Sequence, residues 1–167
     1  MVNFVDGDPT RDFWTQNPEI KVISPFDKLV NKKYGSEMMW VVYFMCDPKS
    51  KYHRYGKEKI KEELEETYIK GKFKISSLKP YIDAYPEKCL TETERFYIKW
   101  GDMLRDFDKH FDAIDFSKNL NDKLTMLKER DKVWKSYLDA EKSAKEELKY
   151  RVKGGREESI LESGEIG

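Results

Sequence analysis

Apolar residues along this chain recur mostly at steps of three and four, the period of a helix that buries one face. Phe96, Trp100, Met103, Leu104, Phe107 and Phe111 form one such stripe. Leu120, Leu124, Leu127, Trp134, Leu138, Leu148 and Val152 follow alternating steps of four and three, a heptad-like seam. Asp131, Glu141 and Lys145 interrupt it, so the seam is firm in its first half and weak in its second. The spacing predicts a last helix over 117–153, roughly 50 Å long at 1.5 Å per residue. Its proximal half is expected to pack in the bundle. The stretch from Glu141 onward is expected to meet a partner.

Local signals place the other elements. Thr91-Glu92-Thr93-Glu94 is a capping box, opening a helix that runs to about Ile114. Glu37 to Cys46 is apolar nearly all round, which marks a central buried helix with Ser36 as its cap. Pro25 to Val30 opens a short helix. Lys57 to about Lys70 reads as a helix with Ile60, Leu64 and Tyr68 on one face. Ser77 caps a short helix through Tyr85, which Pro86 is expected to end. Pro9, Pro18 and Pro25 disfavour helix in the residues before them, so 1–24 reads as an extended strap anchored by Phe13, Trp14 and Ile20. The predicted fold is all-α: a compact helical bundle over 25–153 with an extended N-terminal strap, a long C-terminal helix and a terminal arm over 154–167. Gly154-Gly155 reads as a helix C-cap and joint.

Composition supports a folded body. The 167 residues include ten Tyr, nine Phe and four Trp, and aromatic side chains bury much area each. Basic and acidic residues balance at 32 each, so no global field draws the chain to nucleic acid or lipid. The longest apolar run, Met38 to Cys46, is too short to span a bilayer. Cys46 and Cys89 read as free, buried thiols.

Candidate chemistry is sparse. His53 and His110 sit in no nucleophile or metal motif. Asp106, Asp108, His110, Asp112 and Asp115 crowd one stretch but lack the glycine and terminal glutamate of a calcium loop, so they read as a solvated acidic face. No phosphate-binding glycine motif is present. No catalytic residue, metal or cofactor is assigned. A basic stretch bearing Lys49, Lys51, Arg54 and Lys57, interleaved with tyrosines, offers a possible nucleic-acid contact, although Glu62, Glu63, Glu65 and Glu66 follow at once. Apolar residues near both termini without a local element to bury them, namely Phe13, Trp14, Ile160, Leu161 and Ile166, are the candidate partner-binding residues.

The runs FWTQNPEIKVISPFDKL, SEMMWVVYFMCDPKSKYH and YGKEKIKEELEETYI resemble small helical virion-associated proteins of tailed bacteriophages, notably crAss-like phages. The resemblance rests on Phe13-Trp14, on Met38-Met39-Trp40 with Asp47-Pro48 and Ser50-Lys51-Tyr52, and on the long helix from Leu120 to Gly155. It implies a virion or virion-assembly protein of the neck, tail or portal region, binding other structural subunits in a ring. It transfers no catalytic residue. The alternative is an accessory factor that binds nucleic acid during packaging or replication.

Overall fold

The computed structural model describes residues 7–53, 55–113 and 120–162, without the side chains of residues 120 and 150–162. The fold is all-α, and no strand occurs among the described residues. The chain divides into two compact units, 1–91 and 92–167. This differs from the single helical domain expected over 25–153. The boundary falls at the capping box, where Glu92 begins a helix that packs on the last one.

Unit 1 is built around an aromatic core. Helix α1, Phe13–Gln16, is capped by Asp12, whose carboxylate accepts the Thr15 N–H at 2.8 Å. Its Phe13 N–H donates to Ser36 Oγ at 2.7 Å. Ser36 thus ties α1 to the start of α2, Gly35–Cys46, rather than capping α2. Phe13 meets Trp14 and Trp40 edge-on, at centroid distances of 5.1 and 5.0 Å. Trp40 donates its indole N–H to the Arg11 carbonyl at 3.0 Å. The expected strap is therefore not extended between residues 13 and 22: it is α1 followed by a 3-10 turn over Pro18–Val22. Phe13 and Trp14 lie buried in the core and are not docking residues. The prolines misled because Pro18 opens its turn, where a missing N–H costs nothing.

Tyr34 adopts the left-handed conformation, φ 69°, just before α2. At Gly35 a Cβ would stand 1.9 Å from the Leu29 carbonyl oxygen, so only glycine lets the chain turn into α2 there. Met39, Trp40, Val41, Val42 and Phe44 are all buried, as expected of the central helix. Helix α3, Lys57–Leu64, continues as a π-helical turn over Glu65–Ile69 and buries Ile60, Leu64 and Ile69. Helix α4, Lys79–Cys89, packs on α2. It runs through Pro86 instead of ending there. Pro86 cannot donate to the Ile82 carbonyl one turn back, and the Cys46 thiol approaches that oxygen at 3.8 Å.

Asp47 closes α2 with a buried polar knot. Its carboxylate accepts the Lys49 N–H and the Tyr85 hydroxyl, each at 2.8 Å. Ser50 Oγ donates to the Phe44 carbonyl at 3.0 Å, satisfying an end-of-helix acceptor. The Asp47-Pro48 and Ser50 pattern is thus a helix stop. Burial, with Asp47 close by, holds Tyr85 protonated well above its usual range. Burial also pushes the Cys46 and Cys89 thiols up to about 12.

Unit 2 is an antiparallel pair: α5, Glu92–Ala113, and α6, Leu120–Glu162. Helix α6 does not stop at Gly154-Gly155, so the expected C-cap and joint are absent. Glycine costs a helix about 1 kcal/mol against alanine but does not forbid it. The arm expected over 154–167 is helical up to Glu162, and its last five residues lie outside the described residues.

Two outcomes check unit 1. Phe13→Ala is expected to destabilise it by about 3–5 kcal/mol in urea melts, since the side chain is fully buried. A surface-like loss below about 0.5 kcal/mol would contradict that placement. The raised thiols and Tyr85 keep protons that the unfolded chain releases, so their contribution is present below about pH 9 and fades as pH rises. Melting temperature is expected to fall from about pH 8 to about pH 11, more steeply than in a chain carrying Cys46→Ala and Cys89→Ala.

Candidate protein interaction site

Unit 2 presents the strongest candidate. Tyr137 on α6 stacks on Tyr97 of α5 at 5.1 Å, and their hydroxyls lie 3.0 Å apart. A Cβ on Gly101 would stand 3.4 Å from the Tyr137 ring, at contact distance, so the ring lies directly over this part of α5. One end of the pair is fixed by Arg130, whose guanidinium donates to Asp108 at 2.7 Å. Nearby, Lys123 sits 4.5 Å from the centroid of the Phe111 ring. The α6 face turned to α5 therefore includes Lys123, Arg130 and Tyr137, seven residues apart.

The heptad seam lies one residue further on, about 100° around the helix. Leu124, Leu127, Trp134 and Leu138 are 50%, 45%, 41% and 42% exposed. The proximal half packs on another helix as expected, but through the neighbouring row and not through the seam. Tyr137 stacks on Tyr97 beside Gly101, and seating it there turns the seam outward. Similarly, Phe96 and Met103 of the α5 stripe are exposed, while Tyr97 and Leu104 are buried.

The register also leaves α6 unaccompanied at its far end. Helix α5 is ~33 Å long and α6 ~65 Å. With Tyr97 opposite Tyr137, the start of α5 comes level with about residue 142, leaving roughly the last 30 Å of α6 with no α5 beside it. Of the predicted docking residues, Ile160 and Leu161 belong to this part, their side chains outside the description, and Ile166 lies outside the described residues altogether.

Unit 1 carries a cleft of about 610 Å³ walled by Tyr43, Phe44, Tyr52 and Tyr68, with Lys51 and Glu63 at its rim. Tyr68 donates its hydroxyl to the Pro9 carbonyl at 3.1 Å, and burial pushes its pKa up to about 12.

The basic loop is largely committed to its own unit. Lys49 pairs with buried Asp47 at 3.8 Å. Lys51 lies over the Tyr52 ring at 4.7 Å, and Tyr52 is itself buried, so it offers no free face for a base. Lys57 stands exposed at the start of α3, and Arg54 lies outside the described residues. The acidic stretch on α5 is held by ion pairs, Asp108 with Arg130 and Asp106 with Lys109. No three His, Cys, Asp or Glu side chains among the described residues group to hold a metal ion. No helix among them is long and apolar enough to cross a membrane.

The two faces of α6 are expected to behave differently under substitution. Tyr97→Ala is expected to cost unit 2 about 3 kcal/mol in thermal or urea melts. Leu127→Gln and Leu138→Gln are each expected to change it by less than about 0.5 kcal/mol. Equal losses from both kinds of change would show that the seam is buried.

No family model, curated protein or solved structure matches the chain, so these surfaces are the ground for a functional reading.

Proposed function

We propose that this chain is a non-catalytic structural protein that works by docking neighbouring subunits along α6. The observation that carries the reading is the outward row of Leu124, Leu127, Trp134 and Leu138 on a helix that outruns its own partner. Burying the exposed halves of these four side chains contributes on the order of 3–6 kcal/mol before the cost of association. A contact of that strength is weak alone. It suits a closed ring, where each subunit is held by two neighbours and the contacts reinforce one another.

The setting proposed is a tailed-phage virion, in a neck, tail or portal-proximal ring. Its support is the resemblance carried by Phe13-Trp14, Met38-Met39-Trp40 and the Asp47 to Tyr52 helix stop. In unit 1 those residues form core and cap, which accounts for why they would be kept together in a small structural subunit.

Mass spectrometry of purified virions from the phage that encodes the chain is the test. The chain is expected at several copies per particle. Its absence from particles that carry full heads and tails would contradict the virion reading.

A further inference from the structure

The aromatic cleft of unit 1 is built on one packed cluster of rings. Phe44 of α2 is 5% exposed. Tyr43, Tyr52 and Tyr68 surround it at centroid distances of 5.7, 5.3 and 5.4 Å, the last two nearly perpendicular to it. Tyr43 and Tyr68 are only partly buried and give ring surface to the cleft. Tyr52 contributes differently. Lys51 lies over its ring, and the residue is 4% exposed, yet its hydroxyl makes no hydrogen bond among the described residues. A polar group on a ring buried to that degree is ordinarily paired. Lys51 and Glu63 line the same cleft, and neither makes an ion pair among the described residues.

The wall therefore offers donors, while its backbone acceptors are in use. The Tyr43 carbonyl accepts the Asp47 N–H, the Phe44 carbonyl accepts Ser50 Oγ at 3.0 Å, and the Glu63 carbonyl accepts Thr67 Oγ at 2.5 Å. A peptide laid here would find its carbonyls welcomed and its N–H groups unserved. Proline has no N–H to leave unpaired, and a polyproline helix keeps its carbonyls free of internal bonds. Aromatic-lined grooves take such segments because the ligand is already ordered. The chain supplies its own instance: Pro9 lines the cleft, and its carbonyl accepts the Tyr68 hydroxyl at 3.1 Å. Beside it the cleft holds about 610 Å³, within the roughly 300–1,000 Å³ usual for ligand sites.

We propose that this cleft binds a proline-rich segment of a partner protein. The proline rings pack against Tyr43 and Tyr68, and a carbonyl accepts the Tyr52 hydroxyl. An acidic and a basic residue flanking the prolines meet Lys51 and Glu63. The site is separate from α6 and does not depend on the docking role proposed there.

Fluorescence anisotropy with the full chain tests this. The probes are two labelled peptides, Lys-Pro-Pro-Pro-Pro-Glu and its reverse, because a polyproline helix can lie in either direction. Saturable binding of one or both is expected below about 1 mM peptide in about 50 mM salt. Alanine in place of the prolines is expected to weaken it about tenfold or more. Tyr52→Phe keeps the ring and removes only the hydroxyl, and is expected to weaken binding about threefold to tenfold. Lys51→Met and Glu63→Gln are each expected to weaken it about threefold, an effect that fades at about 500 mM salt. Circular dichroism melts of the three variants are expected to match the parent. Failure of both peptides to bind would overturn the proposal. So would equal binding of the alanine peptides, or binding indifferent to Tyr52→Phe or to both charge changes. Each of these results leaves the seam of α6 and its role untouched.

Discussion

The seating of Tyr137 against Tyr97 and Gly101 is the interaction on which the rest of unit 2 depends. A helix can give α5 only one face, and the rotation that sets Tyr137 against Tyr97 fixes every other position on α6. Arg130 and Lys123 fall on the same face and find Asp108 and Phe111. The richer apolar row, one residue along, is left toward solvent. Rotating α6 by 100° would bury that row but would break the tyrosine stack, the hydroxyl contact and the Arg130 pair together. The outward seam therefore follows from the interior packing of the pair.

The two units are finished to different degrees. In unit 1 the aromatic residues close on one another, and most polar groups that remain inside are paired: Asp47 with Tyr85 and Lys49, Ser50 with the end of α2, Asn17 with the Phe13 carbonyl; the buried Trp14 indole N–H is the exception. A buried network satisfied in this way stabilises one arrangement. Unit 2 has a single helix pair, a short helix against a long one, and exposes Phe96, Met103 and the α6 row. Exposed apolar surface in a continuous row marks an interaction site more readily than scattered residues do.

Much of the secondary structure was legible because its signals are local. The capping box set the start of α5, the all-round apolar run set α2, and Ile60, Leu64 and their neighbours set the buried face of α3. Pro86 reads as a stop but lies inside α4, where the Ile82 carbonyl that it leaves without a backbone donor is approached by a distant thiol, Cys46. Phe13 and Trp14 were misread as surface anchors because their partner, Trp40, is remote in sequence. The interaction face was legible as a period but not as a direction. Two rows on α6 share the same spacing, one residue apart, and the one that packs inside carries Tyr137 onto Tyr97 and Arg130 onto Asp108. Spacing identifies a stripe; only the neighbour's shape decides which stripe it takes.

The central claim is that Leu124, Leu127, Trp134 and Leu138 are open in the isolated chain and covered in the assembly it serves. Hydroxyl-radical footprinting with mass spectrometry reads this directly at Trp134 and Leu138. The account predicts strong oxidation of both in the dilute chain, with Trp40 protected as an internal reference, and protection of both once the chain is incorporated. Protection already present in the dilute monomer, or full oxidation persisting in the assembled state, would contradict it.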